Sequence, residues 1–203
     1  MTGTRCRETY LTLIAGLGNP GERHVRTLHN AGFWFVDVLA QAAGEAFRLE
    51  KRFDAAVCRV RLGRADVWLL KPQSYMNLSG APVRAFLDYY RLSAEQLLVA
   101  HDEIDLPPGI ARLKQGGGHG GHNGVRDVMH DCGGDFMRLR LGVGHPGEKD
   151  KVIGYVLKAG SAEVEAAVMS AIKEAADVVP LLADEGVEKA MNRLHTNLKR
   201  PER

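Results

Sequence analysis

Nine residues, Gly116 to Gly124, read Gly-Gly-Gly-His-Gly-Gly-His-Asn-Gly, and few folds have a use for such a run. Glycine gives up more conformational freedom on folding than any other residue, so the stretch weakens any helix or strand interior it enters. It suits a loop whose main chain approaches a ligand closely, with His119, His122 and Asn123 supplying the polar contacts. A flexible linker is the plainer alternative. Linkers favour serine, however, and this segment lies between two apolar, strand-like runs. It reads as a binding or catalytic loop, with Asn123 its most versatile group.

The 203 residues fit one domain that can bury a proper core. Apolar content of 45% and charged content of 26% are ordinary for a soluble globular chain. The net charge of +2 conceals an asymmetry. Residues 48–64 hold six bases against two acids, and residues 161–188 hold seven acids against one lysine. The chain outside that acidic block therefore carries about +8, which suits either a polyanion-binding face or an ordinary solvated surface. Cys6, Cys58 and Cys132 form no C-x-x-C and are odd in number, which fits free thiols in a reducing compartment. Arg5 and Arg7 precede a short apolar run, but no small-x-small cleavage site follows it. No stretch approaches the ~20 apolar residues of a membrane span. The expected location is cytoplasmic, with no membrane partner.

Residues 1–9 read as a loose leader and 10–203 as a single domain. Strand-like runs occur at Tyr10–Ala15, Ala55–Arg61, Asp66–Leu70, Gln96–Ala100, Ile110–Lys114, Phe136–Val143 and Val152–Leu157. Helical spacing links Phe33, Val36 and Ala40, then Val83, Phe86 and Tyr90, then a long series from Val164 to Leu182. A shorter helix is expected from Val187 to His195. Helices interspersed with strands predict an α/β sheet covered on both faces. The hairpin-like pair around Gly63 makes that sheet mixed.

Gly16-Leu-Gly-Asn-Pro-Gly21 satisfies the dinucleotide pattern G-x-G-x-x-G after a strand. That motif must open directly into a helix that receives pyrophosphate. Here Pro20-Gly21 makes a turn and Glu22 to His29 carries no apolar stripe, so a nicotinamide enzyme is disfavoured. Asn19 is the useful group of the turn. His29-Asn30 precedes the first helix, where Asn30 reads most simply as its cap. His101-Asp102-Glu103 ends a strand, where open α/β sheets place ligands, although Asp102 is also an ordinary turn residue. Asn77 stands at a strand-to-helix junction, with Ser79 a candidate cap. Asparagines in three loops suit amide and ester carbonyls, which they orient without charge. His119 and His122 with His29 and His101 could be imagined around zinc, but no cysteine or H-E-x-x-H supports it. No metal and no cofactor is expected.

Taken together, Gly-Leu-Gly-Asn-Pro-Gly, His-Asn-Ala-Gly, Tyr-Met-Asn-Leu-Ser-Gly, His-Asp-Glu-Ile-Asp-Leu-Pro-Pro-Gly and the glycine run closely resemble the bacterial-type peptidyl-tRNA hydrolase family. Arg138-Leu-Arg-Leu-Gly-Val-Gly-His-Pro-Gly147 and Asn192-Arg-Leu-His195 fit it too, and the match runs from about Leu11 to His195. The resemblance implies a monomeric, single-domain three-layer α/β sandwich around a twisted mixed sheet. It implies hydrolysis of the ester between a peptide and the terminal ribose of tRNA, recycling tRNA from aborted translation. Carried over by motif, His29 is the base, Asp102 its partner and Asn19 a catalytic amide. Asn77, Asn123, Met76, Tyr75 and His122 would bind substrate, and Arg112, Lys114, Arg140 and Lys149 would face the phosphates of the acceptor arm. Two positions depart from the family pattern: His24 stands where tyrosine is common, and Leu28 where a base is usual. An RNA-binding relative that lost hydrolysis is the competing reading, and turnover discriminates the two.

Overall fold

Most of the strand-like apolar runs become strands of one sheet in a computed structural model that describes residues 11–197. These are β1 (Leu13–Gly16), β2 (Arg48–Glu50), β3 (Ala55–Leu62), β4 (Ala65–Pro72), β5 (Leu97–Glu103), β6 (Ala111–Gln115) and β7 (Met137–Gly142). Their order is β2-β3-β4-β1-β5-β7-β6. The central four, β4-β1-β5-β7, run parallel. The β2–β3, β3–β4 and β6–β7 pairs are antiparallel, so the sheet is mixed as expected. Gly63, with φ of 58°, turns the β3–β4 hairpin through a two-residue loop, a position that glycine accepts without strain.

Alternation along each central strand feeds two cores. Ile14, Leu98 and Leu139 meet α1 (Ala31–Ala42), α5 (Ala162–Glu185) and α6 (Val187–Asn197) through Phe35, Ile172, Val179 and Leu194. Leu13, Val99 and Phe136 meet α2 (Gly80–Tyr90) and α3 (Asn123–Cys132) through Phe86, Val83, Val125 and Val128. The result is three layers. Each fully buried Phe or Leu of these clusters contributes about 1.5–3 kcal/mol.

Three expectations change. Val152–Leu157 is not a strand: Val152–Val156 forms the short helix α4. A short apolar run carries no period of its own, and here Ile153 and Leu157 remain exposed. Strand β5 continues through His101, Asp102 and Glu103, so Asp102 is a buried strand residue and not a turn former. Ser79 and Asn30 occupy the positions before α2 and α1, yet neither side chain caps its helix. The Ser79 hydroxyl donates to the Met76 carbonyl instead. Tyr10 and the leader at 1–9 lie outside the described residues. No described helix is long and apolar enough to cross a membrane.

Candidate active site

The chain leaves β1 and enters α1 through two glycines set back to back. A Cβ on Gly16 would lie 2.3 Å from the Gly32 carbonyl oxygen, and one on Gly32 would lie 2.3 Å from the Ala100 oxygen and 2.4 Å from the Leu17 nitrogen. Only hydrogen at these positions lets α1 sit on the ends of β1 and β5. That approach delivers His29, just ahead of α1, onto Asp102 of β5. The His29 Nδ1 lies 2.9 and 3.0 Å from the two Asp102 carboxylate oxygens.

The glycine run brings in a third group. Gly116, Gly117, Gly120 and Gly121 all have positive φ, so the loop folds back over the strand ends and enters α3 through His122. The His122 Nε2 lies 2.9 Å from Asp102 Oδ1, and its Nδ1 accepts the Val125 N–H at 3.2 Å. A Cβ on Gly124 would meet the Met76 sulfur at 2.4 Å, so this glycine packs the first turn of α3 onto Met76. Beneath the pair, His101 Nδ1 donates to the Asp102 carbonyl oxygen at 2.7 Å.

Asn19 is 6% exposed and held from three directions. Its Oδ1 accepts the Met76 N–H at 2.8 Å, which orients the amide and leaves Nδ2 for the cleft. Its own N–H donates to Asn30 Oδ1, and its carbonyl accepts from Asn30 Nδ2. Asn30 is therefore a clamp on Asn19, a role the sequence reading missed by treating it as a cap.

These groups line a cleft of about 870 Å³ at the carboxyl edge of the parallel strands. Asn19, His29, Asp102 and His122 stand together there, with Tyr75, Met76, Asn77 and Asn123 on the walls. Ile104, Val152, Ile153, Val156 and Leu157 make an apolar side, and Arg23, Arg126, His145 and Lys149 a basic one. Of the expected phosphate-facing residues, only Lys149 lines this cleft. Arg112, Lys114 and Arg140 lie on the β6–β7 pair, where the register sets Arg112 against Arg140 and Lys114 against Arg138. Arg140 is ion-paired to Glu103 at 2.8 Å, whereas Arg112 Nη1 is buried without a partner. Arg138, quoted with its segment but given no role from the sequence, is 3% exposed and donates to the Gly116 and Gly118 carbonyls, pinning the glycine loop. Its alternation with Arg140 in Arg-Leu-Arg was the available signal. The basic stretch at 48–64 lines no part of the cleft; Arg59 and Arg61 pair with Asp66 across the β3–β4 hairpin.

The electrostatics follow the geometry. Burial opposes the charged form of His29, but the Asp102 charge and hydrogen bond outweigh it and hold the His29 pKa above 6.5. Burial also opposes ionisation of Asp102, and the two flanking histidines overcome that, keeping the carboxyl well below the usual range. Burial first, and His122 next, push His101 down to about 3, so it is neutral at working pH. The donor atoms of His29, Asp102 and His122 lie within 4.8 Å of one another, a set of types that transition metals accept. His29 Nδ1 and His122 Nε2 each lie 2.9 Å from Asp102 Oδ1, a hydrogen-bonding separation. His119, the other half of the imagined zinc pair, accepts the Gly121 N–H instead.

A mixed sheet with a histidine–carboxylate pair buried at its carboxyl edge defines the class: a single-domain α/β enzyme with its cleft at the strand ends. Residues 13–202 match the family model described as peptidyl-tRNA hydrolase. The peptidyl-tRNA hydrolase of Xanthomonas axonopodis pv. citri is 49% identical over 192 residues, covering 94% of this chain and all of that protein. That of Edwardsiella ictaluri is 48% identical over 187 residues, covering 91% and 95%. The crystal structure of the Acinetobacter baumannii enzyme superposes with a TM-score of 0.89 at 44% identity, covering 92% of this chain and 95% of that one. The chain belongs to the peptidyl-tRNA hydrolase family.

Proposed function

We propose that this enzyme cleaves the ester joining a peptide to the terminal ribose of tRNA, using a water activated by His29 and no metal. The observation that carries the reading is the double contact of His29 Nδ1 with Asp102. An ionised carboxylate only accepts, so Nδ1 holds a proton and Nε2 is the remaining nitrogen of a ring that lines the cleft. Water gives its proton to Nε2 as its oxygen attacks the ester carbonyl. The imidazolium, stabilised by Asp102, then protonates the departing ribose oxygen as the carbon–oxygen bond breaks. A free tRNA hydroxyl and a peptide carboxyl result.

Asn19 Nδ2 serves as a fixed donor to the developing oxyanion, a role for which one donor contributes about 2.7–4 kcal/mol of barrier lowering. Asn77 and Asn123, both exposed on the cleft wall, hold the peptide, with Met76 and Tyr75 against its side chains. Arg112, Lys114, Arg140 and Lys149 meet acceptor-arm phosphates; the exposure of Lys114 and the place of Lys149 in the cleft wall support that reading for these two. The enzyme works as a cytoplasmic monomer that recycles tRNA from aborted translation. The test is release of free tRNA from N-acetyl-aminoacyl-tRNA, with His29→Ala alongside. Turnover by wild type only is expected. Binding of tRNA without turnover overturns the reading in favour of an RNA-binding protein.

A further inference from the structure

We propose that His122 is a positioning residue for His29: it donates its Nε2 proton to Asp102 and so fixes the carboxylate that orients the base. This rests on the reading of His29 as the base and is an alternative to the expectation that His122 binds substrate.

The tautomer follows from the backbone. Nδ1 of His122 accepts the Val125 N–H, and a backbone N–H can only donate, so that nitrogen carries the lone pair. The proton is therefore on Nε2, which faces Asp102 Oδ1 at 2.9 Å. Both nitrogens of the ring are spent on the protein, and neither is left for a substrate. Asp102 thus receives imidazole protons from two loops, the segment before α1 and the glycine loop before α3. His101 supports the arrangement from below, its ring edge-on to His122 at 4.9 Å. Its neutral Nδ1–H holds the Asp102 carbonyl.

Two consequences follow. The Asp102 carboxylate cannot rotate towards His29 without losing His122, so the base keeps one orientation. Its negative charge is also shared between two donors, which limits how strongly it favours the imidazolium of His29. The other charges nearby are Glu103 on β5, Arg138 and Arg140 on β7 and Arg126 on α3. At the cleft mouth stand Arg23, His24, His145 and Lys149. Among the described residues, only the two histidines hydrogen-bond the Asp102 carboxylate.

Long-range proton–nitrogen correlation spectra of histidine-labelled protein read the tautomers directly. Wild type is expected to show His122 protonated on Nε2, and a proton on Nδ1 overturns the proposal whatever any variant does. His122→Phe keeps the ring volume and removes the donor. Its His29 titration midpoint is expected to rise by about one pH unit, with kcat down at least about tenfold and KM little changed. His122→Asn keeps an acceptor for the Val125 N–H but falls short of Asp102, and the same rise is expected. If the Asn variant behaves as wild type, His122 is only a helix cap. If either variant raises KM with the His29 midpoint unmoved, it is a substrate contact. Both results sink the proposal. Full activity in His29→Ala, with the His29 midpoint still shifted in the two His122 variants, would sink the catalytic reading alone and leave this network standing.

Discussion

Asn30 grips Asn19 by both of its main-chain polar groups: Oδ1 accepts the Asn19 N–H at 2.8 Å and Nδ2 donates to the Asn19 carbonyl at 3.0 Å. Because Asn30 follows His29 directly, one turn of chain sets the base and the amide opposite it. Asn30→Ala strips two buried backbone groups of their partners, which costs on the order of 2–6 kcal/mol. It also frees Asn19, so kcat is expected to fall by about tenfold to a hundredfold, within the value of one oxyanion donor. Asn30→Asp keeps the acceptor, loses the donor and is expected to fall between. Denaturant melts with single-turnover rates check this. A destabilised variant with unchanged kcat would make the clamp purely structural.

Activity should rise with pH to a midpoint above 6.5, because His29 must be neutral to take a proton and Asp102 holds its pKa up. The stability contribution runs the other way. A raised histidine pKa stabilises the fold fully below the unfolded value of about 6.5 and is lost as pH rises through the folded value. Asp102, held low, contributes above the ordinary carboxylate range and loses that contribution only in acid. The kcat/KM profile of wild type is the measurement. An acid limb centred below 6.5 contradicts the His29–Asp102 coupling.

Gly32→Ala is expected to be among the most damaging single-atom additions in the chain. The new methyl meets three backbone atoms within 2.6 Å, and backbone cannot swing aside as a side chain can. Overpacking of this kind costs about 1–3 kcal/mol. At about 2–4 °C per kcal/mol for a chain of this size, the Tm should fall by roughly 2–12 °C. The displaced α1 also carries His29 away from Asp102, so activity should fall further than stability explains. Gly21→Ala is the control: no atom lies within 4 Å of its Cβ, and its cost is only the strain of φ near 97°.

The contrast between Gly116 and Val152 shows what was legible in the sequence. The glycine run was legible as a loop, and Gly116, Gly117, Gly120 and Gly121 do take positive φ, whereas the close Gly16–Gly32 approach, between apolar neighbours, was not read from the sequence. His29 and Asp102, far apart in the chain, were paired only through the family resemblance. No local pattern says which loop meets which strand end. Six apolar or small residues at 152–157 fit strand and helix alike, and tertiary packing decided for helix. Asn30 and Arg138 escaped for a further reason. Their work is done on backbone atoms of distant segments, and backbone leaves no trace in a residue pattern.

Lys114 and Arg140 were expected to act alike on tRNA, and the structure separates them. Lys114 is exposed on the edge strand β6, whereas Arg140 is ion-paired to Glu103 and only 21% exposed in its side chain. Lys114→Ala should raise KM and flatten the salt dependence of binding by about 0.7–0.9 in log–log slope, one phosphate contact. Arg140→Ala should change the slope less and the stability more, since it leaves Glu103 buried without its partner. Titrations at four salt concentrations check both. Equal slopes for wild type and Lys114→Ala remove that residue from the tRNA surface.

Chelators should leave turnover unchanged, and added Zn²⁺ should inhibit it. Both expectations come from the protons between the rings and Asp102. A metal can bind His29 Nδ1 only where the proton now bridges to the carboxylate, and that proton then moves to Nε2, the nitrogen needed as base. Coordination by His122 Nε2 likewise drives its proton onto Nδ1, against the Val125 N–H it now accepts. Binding thus costs a helix-cap contact as well as the catalytic lone pair, so inhibition by zinc should be reversed by chelation. Rates in excess EDTA and in a zinc series, each at two pH values, test this. Loss of activity in EDTA that zinc restores would place a metal in the reaction and remove the water-activating role from His29.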